Sequence, residues 1–123
     1  MLKVHVKKLE TVAVLCLQGK IVNGETEILQ NAVHSLSDVS AVILDLARVT
    51  TVDARGLGVL LEVRQQAAAK GIRFELMNVT KWVSRVLEVS RLDSVFQITA
   101  GVEFFQTGSR NRPGSVAALA SCA

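Results

Sequence analysis

Residues 41–61 read AVILDLARVTTVDARGLGVLL: an apolar strand, a short turn, and then Asp53-Ala54-Arg55-Gly56-Leu57-Gly58 opening an amphipathic helix. Ala41–Leu46 is almost wholly apolar, the pattern of a strand with both faces covered. Asp53 stands where an N-cap residue accepts bonds from the amides two or three positions on. Gly56 and Gly58 keep bulky side chains out of the first turn and leave room for a close approach. The amide-rich start of a helix favours negative charge, so the geometry suits a phosphate on residue 54. Residue 54 is an alanine and has no hydroxyl to carry one.

Outward from this turn, the alternation of Val4, Val6 and Leu9 with Lys3 and Lys7 predicts a first strand. Glu10-Thr11 makes a tight turn into a second strand, Val12–Gln18, which Gly19 breaks, and Asn23-Gly24 marks a further turn. Glu25–Ser37 is expected as a helix with Leu29, Ala32, Val33 and Leu36 on one side. The helix after Asp53 runs Ala54–Lys70, and Gly71 stops it at C′. Ile72–Met77 reads as a strand, Lys81–Ser90 as a helix burying Val83, Val86 and Leu87, and Val95–Ile98 as a short edge strand. The order β-β-α-β-α-β-α-β predicts parallel neighbours joined by right-handed crossovers. Sites in such sheets lie beyond the carboxyl ends of the strands, where the Asp53 turn falls. The first hundred residues are therefore expected as one α/β domain with a mixed sheet of four to five strands. Residues 101–123, with the lone Pro113 and many small residues, are expected as a flexible tail. Phe104 and Phe105 are expected to close the bottom of the core.

Composition narrows the function. Half of the 123 residues are hydrophobic, yet no run of eighteen or more apolar residues occurs, which speaks against a membrane span. The net charge of +3 comes from scattered side chains and aromatics are only 4%, which argues against nucleic-acid binding. Cys16 and Cys122 do not make a disulfide framework, which favours a reducing cytoplasm. His5 and His34 have no cysteine or histidine at ligand spacing, so no metal is expected. Gly56-Leu57-Gly58 lacks the third glycine of a dinucleotide loop, and no P-loop lysine follows it. Neither an enzyme nor a cofactor is indicated.

Binding is better supported. At about 100° per residue, Leu57, Leu60, Leu61 and Ala68 face the core, whereas Arg55, Val59, Glu62 and Gln66 face outward as a docking strip. Trp82, on the flank of the third helix, is placed at the edge of the core.

Three stretches then carry a family resemblance: Val12–Gly19 with Lys20-Ile21-Val22, Val42–Gly58, and Val83–Ile98. The chain from Lys3 to Ile98 resembles a STAS domain, the fold shared by sulfate transporter tails and bacterial anti-sigma factor antagonists. The family pattern is an apolar strand followed by Asp-Ser-Ser/Thr-Gly-Leu-Gly, which Asp53, Gly56, Leu57 and Gly58 match. Ala54 replaces the serine that a partner kinase phosphorylates, and Arg55 replaces the second hydroxyl residue. The resemblance implies a cytoplasmic, non-catalytic bacterial protein that binds an anti-sigma factor/kinase in a partner-switching pathway. Asp53, Ala54, Arg55, Gly56, Val59 and Glu62 would form the partner-binding set. No phosphorylation is expected at Ala54; Thr50 and Thr51, assigned to the turn, are second-rank substitutes. The alternatives are a STAS accessory subunit of a phospholipid-type membrane transporter and a small-ligand or nucleotide sensor. Val59, Trp82 and the apolar tail leave a homodimer open.

Overall fold

A computed structural model of the chain describes residues 1–99. The order is β1 (Lys3–Leu9), β2 (Val12–Ile21), α1 (Glu27–His34), β3 (Ala41–Val52), α2 (Ala54–Ala69), β4 (Arg73–Met77), α3 (Lys81–Val89) and β5 (Gln97–Thr99). The five strands lie side by side in chain order. β1 and β2 form an antiparallel hairpin, and β2 through β5 run parallel, so the sheet is mixed. β3 is the central strand, and all six residues Ala41–Leu46 are buried, as a strand covered on both faces requires. The expected tail, with Phe104 and Phe105, lies outside the described residues.

All three helices contribute to one core. Leu29 and Val33 of α1, Val59, Leu60, Val63 and Ala67 of α2, and Val83 and Leu87 of α3 pack with Leu15, Leu44 and Leu76 of the sheet. A smaller cluster of Val14, Ile43 and Met77 belongs to the other side of the same strands.

Two strands outrun their expected ends, and the extra length shapes the site. β2 continues through Gly19 to Ile21, because Gly19 adopts φ 115 inside the strand instead of ending it. β3 continues to Val52, two residues longer than β2, and the excess is absorbed at register shifts between Cys16 and Gln18 and between Gly19 and Lys20. At the first shift, the Ala47 amide donates to Asp45 Oδ1 at 2.9 Å. At the second, Thr50 Oγ1 donates to the Gly19 carbonyl at 3.2 Å. Thr50 and Thr51 therefore belong to a bulged strand and not to a turn.

Candidate functional site

The site begins where β3 hands over to α2. Asp53 is extended, at φ −99 and ψ −176, and its Oδ1 accepts from the Gly56 amide at 2.8 Å. Its Oδ2 accepts from the Asn23 amide at 3.0 Å, thirty residues away in sequence. One carboxylate thus caps α2 and ties it to the turn that precedes α1. These amides, first Asn23 and then Gly56, hold the Asp53 carboxyl below its ordinary carboxylate value. The Asp53 amide donates in turn to the Ile21 carbonyl at 3.3 Å. Behind it the Leu2 amide donates to Glu25 Oε1 at 2.9 Å, fixing the far side of the same turn.

Gly56 serves the chain itself and not an incoming partner. A Cβ placed there would fall inside contact distance of the Ile21 carbonyl, so the first turn of α2 lies directly against the end of β2. Gly58 is different: a Cβ there meets nothing within 4 Å, and the residue is exposed.

Of the six expected partner-binding residues, Ala54, Arg55 and Glu62 are exposed, Asp53 is half-buried, and Gly56 and Val59 are buried. Val59 is a correction to the outward-facing strip: at 3% exposure it packs in the helix core. The inward stripe is Gly56, Val59, Leu60, Val63 and Ala67, with Leu57 and Leu61 only partly buried and Ala68 exposed. The helix is rotated because Gly56 must face Ile21, and positions three and seven residues later turn inward with it. Gly58 takes the exposed place that Val59 vacates. Trp82 is a second correction, since it is 60% exposed on α3 and does not edge the core.

Sequence reasoning also missed two contributors. Asn23 and Gly24 are exposed beside the helix start, and Asn23 is bound to Asp53. Gln30 Nε2 of α1 donates to Glu62 Oε1 at 3.0 Å, and Gln66 Nε2 donates to the same oxygen at 3.4 Å. The Asn23-Gly24 turn signal was legible, but its pairing with Asp53 depends on contacts distant in sequence. The result is an open corner of Asn23, Gly24, Ala54, Arg55, Gly58 and Glu62. Thr50 is exposed nearby, with its hydroxyl held by Gly19, and Thr51 is half-buried.

The corner presents Asn23, Arg55 and Glu62 as exposed polar and charged side chains around the capped start of α2. Among the described residues, no group of three or more histidine, cysteine, aspartate or glutamate side chains is arranged to hold a metal ion. No helix among them is long and apolar enough to cross a membrane.

Comparison with known proteins bears on the fold. The STAS domain family model matches residues 3–107. The structure is similar to an anti-sigma factor antagonist from Mycobacterium paratuberculosis, at 20% identity and TM-score 0.71, covering 80% of this chain and 85% of that one. It is similar to the anti-sigma factor antagonist SpoIIAA in its unphosphorylated form, at 20% identity and TM-score 0.67, covering 89% and 96%. It is also similar to a sulfate transporter family protein from Wolinella succinogenes, at 17% identity and TM-score 0.63, covering 89% and 87%. At such identities these likenesses speak for the fold.

Proposed function

From the premise that this chain belongs to the STAS domain family, we propose that it is a non-catalytic anti-sigma factor antagonist-like protein. It binds an anti-sigma factor/kinase through the corner of Asn23, Ala54, Arg55, Gly58 and Glu62, in a partner-switching pathway of bacterial regulation. The observation that carries this reading is the solvent-facing Ala54 at the capped start of α2, on a fold similar to anti-sigma factor antagonists.

Ala54 sets the behaviour of the complex. A phosphate on this position adds about −1.5 to −2 charges. Its attraction to a helix start is worth about 0.3–1 kcal/mol, and here the Asp53 carboxylate already accepts from the Gly56 amide. An unpaired charge buried on docking costs about 2–5 kcal/mol, so phosphorylation releases a partner. Alanine removes that release. Losing a neutral hydroxyl bond costs about 0.5–1.5 kcal/mol at most, so docking survives and the protein behaves as a constitutively unphosphorylated form.

The decisive experiment mixes the purified protein with the anti-sigma factor kinases encoded in the same genome. A stable complex with one of them is expected. No complex with any, while a serine-bearing paralogue binds, removes the reading. Arg55→Glu and Gly58→Arg are expected to weaken the complex at least about tenfold with unchanged thermal stability, since both positions are exposed. Kinase and ATP are expected to leave the wild type unmodified and to phosphorylate Ala54→Ser. Phosphate found by mass spectrometry on Thr50 or Thr51 of the wild type would contradict an unswitchable protein.

A further inference from the structure

The second half of α2 and the β4–β5 side of the sheet frame a cavity of about 150 Å³, lined by Arg64, Ala68, Ile72, Phe74, Val95 and Gln97. Three local features build it. The closing turn of α2, in which the Ile72 amide donates to the Ala67 carbonyl at 2.8 Å, returns Ile72 toward the end of the helix. Phe74 is buried, and the Phe96 ring braces it at a centroid distance of 6.3 Å and an interplanar angle of 44°. After α3 the Val95 amide donates to the Leu92 carbonyl at 3.0 Å, and β5 then pairs with β4, which brings Gln97 alongside Glu75.

The lining divides by chemistry. Ala68, Ile72, Phe74 and Val95 form an apolar wall, and Arg64 and Gln97 supply hydrogen-bond donors. Arg64 is half-buried. The ion pairs among the described residues are Met1 with Glu25 and Arg73 with Glu75, so the Arg64 charge has no acidic partner there. A guanidinium in that position favours an anion, and its planar fork matches a carboxylate.

We propose that this cavity binds a small aromatic monocarboxylate, with its ring against Ile72, Phe74 and Val95 and its carboxylate on Arg64. The inference is independent of the function proposed above, because Arg64 lies about 15 Å along α2 from Ala54. Size selects the class of ligand. An apolar cavity of about 150 Å³ takes one benzene-sized ring, whereas drug-sized ligands need about 300–1,000 Å³. A nucleotide, with base, sugar and phosphate, is too large for it. Charge selects within the class. A neutral ring leaves the guanidinium without a counter-charge, and a bare anion leaves the apolar wall in water.

The test uses the full chain and benzoate as the probe, followed by two-dimensional amide NMR. Saturable shifts are expected at residues 64–74 and 95–97, with a Kd of about 1 mM or tighter. Benzamide keeps the ring without the charge, and acetate keeps the charge without the ring. Each is expected to bind at least about tenfold more weakly than benzoate. Arg64→Gln is expected to weaken benzoate at least about tenfold, and Arg64→Lys by less, since lysine keeps the charge and loses the fork. Ala68→Phe places a ring in the cavity from an exposed helical position and is expected to abolish binding with the fold intact. Should Arg64→Gln lose the native spectrum, the benzamide and Ala68→Phe arms decide alone. Shifts that do not saturate, that fall elsewhere in the chain, that benzamide reproduces at equal affinity, or that persist unchanged in folded Arg64→Gln or Ala68→Phe overturn the proposal.

Discussion

Helices α2 and α3 each begin at a side-chain cap and end in a left-handed turn, yet of these two caps only that of α2 also binds a second loop. At its start α2 has Asp53, whose two oxygens bind Gly56 and the distant Asn23; α3 has Thr80, whose Oγ1 binds only the Val83 amide, at 3.3 Å. At their ends both make a double bond pattern back to the last turn. In α2 the Gly71 and Ile72 amides donate to Ala68 and Ala67; in α3 the Arg91 and Leu92 amides donate to Glu88 and Leu87. The left-handed residue is Gly71 at φ 73 in one and Arg91 at φ 62 in the other. A cap that only begins a helix is local and replaceable. A cap that also fastens a second loop fixes a surface, and that difference separates the α2 corner from the α3 start.

The comparison is broken hardest at Gly56. Gly56→Ala drives a methyl into the Ile21 carbonyl, and we expect a loss of about 3 kcal/mol or more in denaturant unfolding. Gly58→Ala, two residues on and open to solvent, is expected to be neutral or slightly stabilising. Asp53→Ala comes next. It releases the Asn23 turn as well as the helix start, so hydrogen exchange is expected to rise at residues 22–26 as well as in the first turn of α2. Thr80→Ala is expected to cost about 1 kcal/mol, with the exchange change confined to the first turn of α3.

Acidity sharpens the contrast. The Asp53 carboxyl is lowered in the folded chain by the Asn23 and Gly56 amides, so the unfolded chain binds its proton more tightly. Its contribution to stability is complete above its ordinary value of 3.8 and is lost as pH falls through the lower folded value. The stability difference between wild type and Asp53→Asn is therefore expected to stay constant near neutrality and to narrow below that value. The difference between wild type and Thr80→Ala is expected to keep its size, because no charge is involved. A small gain is expected from Arg91→Gly. Relief of the left-handed strain outweighs the added freedom of the unfolded chain, for a gain of about 0.5 kcal/mol.

Much of this fold was legible from periodicity and punctuation. The apolar run Ala41–Leu46 marked the central strand, Glu10-Thr11 marked the hairpin, and Gly71 marked the end of α2. The candidate site was legible in part. Asp53 announced its cap through the residues that follow it, because a cap bond closes within three positions. Val59 was misplaced because helical spacing fixes which residues share a stripe, whereas the facing of that stripe depends on one contact, Gly56 against Ile21. Trp82 was misplaced for a related reason: spacing sets it next to the buried stripe of Val83 and Leu87, and the packing of α3 leaves it 60% exposed.

The sequence by itself determined the alternation of strands and helices, the capped start of α2 and the absence of a hydroxyl at Ala54, because each rests on neighbours a few residues apart. Only the tertiary structure decided that β3 outruns β2 through two register shifts, that Asn23 reaches Asp53 across thirty residues, and that Gly58 and not Val59 meets solvent. Those outcomes depend on long-range pairing, where the approach of one backbone to another selects among facings that local patterns leave equivalent.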